Sequence, residues 1–309
     1  MMSKNNLRII FMGTPEFAVA SLEALVHEGY PPVAVITAPD KPSGRGQKLT
    51  PSPVKICAQK HQLPVLQPTN LKSPAFLDEL KSHQANLQIV VAFRMLPEAV
   101  WAMPTFGTFN LHASLLPQYR GAAPIPWAII NGETETGVTT FFLKQEIDTG
   151  SIVFQEKEPI HPSDDAGTLY ERLMHKGASL VVKTVRAIER GDYPSVPQAV
   201  TGTEKSAPKI FKETGQVMWD KPAQAIHNLI RGLSPYPGAW TVLNGKTFKL
   251  HQTTVLPQTA PAAAPGTIQT DQKTYLHIRA HDGWINVIAL QPEGKRSMSI
   301  AEFFRGNTL

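Results

Sequence analysis

Leu7-Arg8-Ile9-Ile10-Phe11-Met12 runs into Gly13-Thr14-Pro15 and then into Glu16-Phe17-Ala18. A short apolar run closed by glycine and proline reads as a buried strand and a turn. Over 16–28, Phe17, Ala20, Leu22, Leu25 and Val26 recur at helical spacing, and Gly29 ends the pattern. A second strand is expected over 33–37, a short helix over 76–81 and a third apolar strand over 87–92. Strands alternating with helices predict an α/β domain on a Rossmann-like parallel sheet, covered on both faces. The first turn has no second glycine to admit a pyrophosphate, so no nicotinamide dinucleotide is expected there.

Working outward, 168–190 reads as a helix, ended by Gly191-Asp192-Tyr193-Pro194. The stretch 195–208 is rich in proline and polar residues and lacks a helical period, so it is read as a linker. It divides a front domain, 1–194, from a rear domain, 209–309. The rear domain opens with a helix over 223–232. Short strands follow over 239–243, 246–255, 266–269, 275–279 and 284–290. Asn244-Gly245 is a strong two-residue hairpin signal, and strands at this spacing predict a small OB-like β-barrel. The alanine- and proline-rich loop over 260–265 carries no evident function.

A length of 309 residues suits two domains. The one cysteine, Cys57, excludes an internal disulfide framework and a cysteine-rich zinc site. That fits a reducing, cytoplasmic setting. The opening residues 1–6 show no separate apolar leader, and no apolar run is long enough to span a membrane. From Lys205 onward there are 12 Lys and Arg against 6 Asp and Glu, a net +6, while the front of the chain is near neutral. This suits an anionic partner for the rear domain, or a soluble basic domain without one.

The chemistry concentrates in Phe109-Asn110-Leu111-His112-Ala113-Ser114-Leu115-Leu116-Pro117 and in the later Asp148-Thr149-Gly150. On a strand, Asn110 and His112 leave the same face. An amide, an imidazole and a carboxylate suffice for acyl transfer: an oxyanion donor, a proton handler and an acid to orient it. Read singly, Asn110 also fits a sheet-edge amide, His112 a core histidine and Asp148 a turn residue. Ser114 lacks the Gly-x-Ser-x-Gly surroundings of a nucleophile elbow, so a covalent serine route is not expected. The remaining histidines lack ligand spacing, so no metal is expected. Over 39–53 runs a long polar loop in which Lys41, Arg45 and Lys48 are basic and Gly44 and Gly46 loosen the chain. It is read as an irregular flap that meets a phosphate backbone, or as a solvated insertion.

Ser114-Leu115-Leu116-Pro117, Arg120-Gly121 and Pro124 match the SLLPxxRGxxP signature of the folate-dependent formyltransferases, and the chain resembles that family over nearly its whole length. The resemblance implies 10-formyltetrahydrofolate as formyl donor, no metal, and Asn110, His112 and Asp148 at the catalytic positions. It implies that Ser114, Leu115, Leu116 and Pro117 meet the folate. The segments Ile10 to Ala18, Pro39 to Leu49 and Pro51 to Lys55 are similar to the branch of the family that formylates methionyl initiator tRNA for translation initiation. In that branch Lys41, Arg45 and Lys48 reach the tRNA, the front domain is catalytic, and the basic barrel over 209–309 helps hold the tRNA. A monomer without membrane attachment is expected. Other members of the family release formate or formylate amino sugars, and a non-catalytic RNA-binding protein would also carry the basic elements. Arg94 departs from the family pattern, which has glycine in the folate-slot loop.

Overall fold

A computed structural model describes residues 6–43, 47–256 and 263–309. Residues 1–5, Arg45 with its flanking glycines, and residues 260–262 of the low-complexity loop lie outside the described residues.

In chain order the elements are β1 (Ile9–Gly13), α1 (Glu16–His27), β2 (Ala34–Ile36), β3 (Lys41–Ser43), β4 (Lys48–Thr50), α2 (Pro53–Lys60), β5 (Val65–Leu66), α3 (Pro74–Ser82), β6 (Leu87–Val91), α4 (Glu98–Trp101), β7 (Thr108–His112) and β8 (Arg120–Gly121). There follow α5 (Pro124–Ile130), β9 (Glu135–Phe142), β10 (Ile152–Pro159), α6 (Ala166–Arg190), β11 (Ser206–Ala207), α7 (Ala223–Gly232), β12 (Ala239–Leu243), β13 (Lys246–Leu256), β14 (Ile268–Thr270), β15 (Leu276–Arg279), β16 (Trp284–Pro292), β17 (Met298–Ser299) and α8 (Ile300–Phe304). They form two compact units, neither a single run of sequence. The first takes 1–120, 136–158 and 171–205; the second takes 121–135, 159–170 and 206–309. The stretch read as a linker is divided between them. Residues up to Lys205 belong to the first unit, while Ala207 and Pro208 give their carbonyls to Ala123 N and Trp127 Nε1 within the second.

The first unit is built on a seven-stranded sheet of order β10-β9-β7-β6-β1-β2-β5. Every residue of β1 and β6 is buried, which is why β1 reads as an unbroken apolar run and β6 as one interrupted only by Gln88, whose amide oxygen accepts from Thr108 Oγ1. The sheet is parallel from β5 to β7, as expected, but turns antiparallel at β9, with His112 opposite Thr139. An antiparallel strand beyond a parallel set is a common ending for such sheets. The loop over 39–53 also differs from its reading as irregular chain. Its arms pair as the antiparallel hairpin β3–β4, with three residues each, too few for a period to show in sequence. Leu49 on that hairpin is 70% exposed.

Helix α6 comes close to β7 because Gly177 has no side chain: a Cβ there would lie 2.7 Å from Leu111 Cδ2. Leu111 points to that helix, so Asn110 and His112 point the other way. At the end of β10, Glu158 receives Arg172 Nε at 2.7 Å and Lys176 Nζ at 2.8 Å, from consecutive turns of α6.

The second unit curls a six-stranded antiparallel sheet into a half-barrel. Asn244 and Gly245 both have positive φ, 46° and 76°, as a two-residue hairpin turn of the primed type requires. Ile226, Ile230, Phe248, Leu250, Leu290 and Phe303 join α7 and α8 to the sheet in one core. Among the described residues, no helix is long and apolar enough to cross a membrane.

Burial alone would push the Glu158 carboxyl up, but hydrogen bonds from Lys176 and Arg172 outweigh it and hold the group below its ordinary 4.5. A depressed carboxylate stabilises the fold above its unfolded pKa, and that share is lost as pH falls through the folded value. Glu158→Gln should therefore lower the melting temperature at pH 7. The gap from the unsubstituted protein should narrow as the pH is taken below about 4. Melting curves at a series of pH values check this, and a gap independent of pH overturns it.

Candidate active site

Asn110 and His112 lie at the carboxyl end of β7, where α/β sheets present side chains to ligands. His112 is nearly buried, its side chain 7% exposed, with the Phe141 ring edge-on to it. Its Nε2 lies 2.8 Å from the carbonyl of Tyr119. A carbonyl only accepts, so Nε2 carries the proton in that bond and Nδ1 is the nitrogen left with a lone pair. Nδ1 faces Asp148, whose Oδ2 is 3.9 Å away. Asn110 has an intermediate exposure, and its side-chain amide makes no hydrogen bond to another described residue. The amide, the imidazole and the carboxylate predicted from sequence are therefore brought to one end of the sheet.

Asp148 arrives from the turn between β9 and β10. Its φ of 55° is left-handed, a conformation that aspartate tolerates better than most residues. Thr149 Oγ1 donates to Glu146 O at 3.0 Å and closes the turn on one side. Gly150 closes it on the other: a Cβ there would sit 1.5 Å from the carbonyl oxygen of Phe142. Only glycine allows the backbone that close.

Residues 114–117 follow β7 directly. Ser114 and Leu116 are buried, while Leu115 and Pro117 keep partial exposure. The Ser114 hydroxyl donates to Gln118 O at 2.6 Å, so it is committed to shaping its own loop. Thr139, fully buried on β9, donates to Ser114 O at 2.6 Å and accepts from Leu116 N at 3.2 Å and Gln155 Nε2 at 2.9 Å. The loop beyond is tied to Lys205, whose carbonyl accepts Tyr119 N at 2.6 Å and whose N–H donates to Gln118 Oε1 at 2.9 Å. These bonds deliver the Tyr119 carbonyl to His112.

Lys41 and Lys48 stand exposed on the two arms of the β3–β4 hairpin. Arg45, named with them, lies outside the described residues. The base of the hairpin is anchored by a closed triangle. Lys55 Nζ donates to Asp40 Oδ2 at 2.6 Å and to Gln67 Oε1 at 2.8 Å, and Gln67 Nε2 donates to Asp40 Oδ1 at 2.8 Å. Lys55 and then Gln67 hold the Asp40 carboxyl below its usual range. Arg94, the departure noted in sequence, ties its own loop down: its guanidinium donates to the carbonyls of Pro68 and Thr69.

Sequence reasoning missed Gln198. Its amide oxygen accepts Arg120 Nε at 3.1 Å and Nη2 at 2.6 Å, and its amide nitrogen donates to the carbonyls of Asp148 and Gly150. No periodic signal marks it, because it lies in irregular chain.

Away from this site, Glu23, Cys57 and His61 bring metal-ligating atoms within 4.8 Å of one another. Of these, Glu23 pairs with His61 at 2.6 Å, and also with Lys60 at 3.0 Å. Burial, reinforced by the Glu23 carboxylate, pushes the Cys57 thiol up to about 12.

Two family models match. One, described as formyl transferase, covers 7–185; the other, described as formyl transferase C-terminal domain, covers 209–308. The chain is 53% identical to a methionyl-tRNA formyltransferase of Bacteroides fragilis, over 99% of this chain and 96% of that one. It is 50% identical to the one of Flavobacterium johnsoniae, over 98% and 96%. Among solved structures it resembles an N-formyltransferase of Helicobacter canadensis in complex with folinic acid and dTDP-3-aminofucose. That match has a TM-score of 0.68 and 23% identity, and covers 91% of this chain and 98% of that one. At that identity the likeness speaks for the fold.

Thr139→Val keeps the volume but strands the Leu116 N–H and the Ser114 carbonyl without a partner. The expected cost is about 1–3 kcal/mol, read from urea unfolding. An unchanged midpoint overturns this account of the loop.

Proposed function

The chain belongs to the formyl transferase family, and on that premise we propose how Asn110, His112 and Asp148 carry out the transfer. The reaction moves a formyl group from 10-formyltetrahydrofolate to the amino group of methionyl initiator tRNA, which readies it for translation initiation. The observation that carries this reading is likeness from end to end with tRNA-acting relatives, including the basic rear domain that an amino-sugar substrate would leave idle.

The amine nitrogen attacks the formyl carbon, and the bond from that carbon to the folate nitrogen breaks. One proton leaves the amine and one reaches the departing folate nitrogen. Free α-amino groups titrate near ~8, so a base that takes the proton as the bond forms is useful near neutrality. We assign the oxyanion to the side-chain amide of Asn110, which has hydrogens to give. The Nε2 proton of His112 is committed to Tyr119, so any proton the ring gains goes to Nδ1. His112 is then the acceptor, and the Asp148 carboxylate stands where it stabilises the cation that forms. Once charged, Nδ1–H is itself a donor for the oxyanion. For the folate, Leu115 and Pro117 offer the accessible surface, with Ser114 and Leu116 holding the loop in shape.

Residues 1–194 supply the chemistry and 209–309 the tRNA grip. Lys41, Arg45 and Lys48 extend that grip from the front domain. Lys209 sits 5.5 Å over Phe211 and Lys212 sits 5.7 Å over Trp240, which pairs positive charge with flat apolar surface. Such contacts position an RNA backbone rather than read its bases. A cytoplasmic protein fits the single free thiol and the absence of a membrane-length helix among the described residues.

A formylation assay with purified protein, 10-formyltetrahydrofolate and charged initiator tRNA tests this. Asn110→Ala and His112→Ala should fold normally and each lose at least ~10²-fold in turnover. Near-normal rates in both overturn the site. Replacing Lys41 and Lys48 together by Ala should raise the KM for tRNA and flatten its salt dependence, since phosphate contacts release counterions. The KM for folate should stay unchanged, and an equal rise in both constants overturns the tRNA role of the hairpin.

A further inference from the structure

We infer that Gln198 is a positioning residue that sets the catalytic carboxylate: it reads Arg120 with its oxygen and clamps the Asp148 turn with its nitrogen. The inference rests on the active-site reading above.

The register of the chain puts Gln198 in place. Ile152 and Val196 form an antiparallel bridge, each donating its N–H to the other's carbonyl at 2.8 and 2.9 Å. Two residues before Ile152 and two after Val196, the antiparallel register sets Gly150 opposite Gln198. From there the side chain reaches both Gly150 O at 2.9 Å and Asp148 O at 2.7 Å. The amide nitrogen thus ties the carbonyls on either side of Thr149, the first of them Asp148's own, and so braces the turn in which Asp148 has its left-handed φ.

The amide is orientated without ambiguity. Two carbonyls accept only, so they face the NH2 group; the guanidinium donates only, so it faces the oxygen. Both amide hydrogens are used, and both guanidinium donors meet one oxygen. In the run 194–203, Gln198 alone is not exposed. A residue withdrawn from solvent in that setting, with its hydrogen-bonding capacity filled, is part of a built assembly. It also gives Arg120 of the signature a task. Arg120 fixes the amide, the amide fixes the turn, and the turn fixes the distance from Asp148 to His112.

Gln198→Glu supplies the sharpest variant. It keeps the size and the contact to Arg120, but sets a carboxylate against two carbonyls. Gln198→Ala removes both contacts. Each should lower kcat by about 10-fold or more, because small displacements of a catalytic group are costly. The KM values for folate and tRNA should change little, and kcat measured well below the melting temperature removes any contribution from unfolding. The deciding measurement is a double-mutant cycle with Asp148→Asn. Gln198→Ala should cost about 2-fold or less in that background, since residues acting as one unit are not additive. An equal loss in both backgrounds means a general structural role and overturns the inference. So does a normal kcat for either Gln198 variant. A normal kcat for Asp148→Asn alone would instead overturn the catalytic reading on which the inference stands.

Discussion

The hydrogen bond between His112 Nε2 and the Tyr119 carbonyl fixes where the imidazole can hold a further proton. It leaves Nδ1 as the nitrogen with a lone pair, facing Asp148. Tyr119 offers its carbonyl only because its own backbone is held in the left-handed region, with φ of 59°. That conformation persists because its neighbours are bonded on every side: Tyr119 N to Lys205 O, Gln118 to Lys205 N, Ser114 to Gln118 O. Locally strained backbone survives at a site when the surroundings over-determine it. Asp148 repeats the pattern, left-handed and pinned through Gln198, Gly150 and Thr149.

The parts of the fold that were legible in sequence share one physical property. β1 and β6 are buried throughout, so their runs are apolar but for Gln88, which is paired with Thr108. Helix α7 buries one face, and its spacing gave its bounds as 223–232. β9 was not legible because its buried positions include threonine. Thr140 bonds Thr184 on α6 at 2.8 Å, and Thr139 serves the Ser114 loop. A buried hydroxyl with a partner looks polar in any hydropathy reading, although it is core. The hairpin over 41–50 was hidden for a different reason: arms of three residues are too short to show either period.

At the site, strand alternation was enough to put Asn110 and His112 on one face. Asp148 lies 36 residues beyond His112. Its approach depends on the β7–β9 register and on Gly150, and neither can be read from residue types alone. The glycine of Asp148-Thr149-Gly150 looked like turn punctuation. The 1.5 Å approach a Cβ would make to Phe142 O shows that it lets the turn lie against β9. Gln198 left no trace, because a glutamine in irregular, mostly polar chain is the commonest kind of surface residue.

The proposed carbonyl site and the proposed phosphate-facing hairpin call for different physics. Around His112 the bonds that hold the ring and its loop are made before any substrate arrives, which suits stabilising a developing oxyanion: dipoles that do not reorganise during the reaction. The β3–β4 hairpin is the opposite case. Its base is locked by Asp40, Lys55 and Gln67, but Lys41 and Lys48 on its arms stand in solvent. An isolated two-stranded ribbon is marginal in water, so the triangle at its base is what keeps such a ribbon directed. Charge in high dielectric is weak at any one contact and adds over many phosphates. A hairpin anchored at its root and basic along its length fits a large polyanion, while side chains fixed in advance at one end of a sheet fit a single carbonyl carbon.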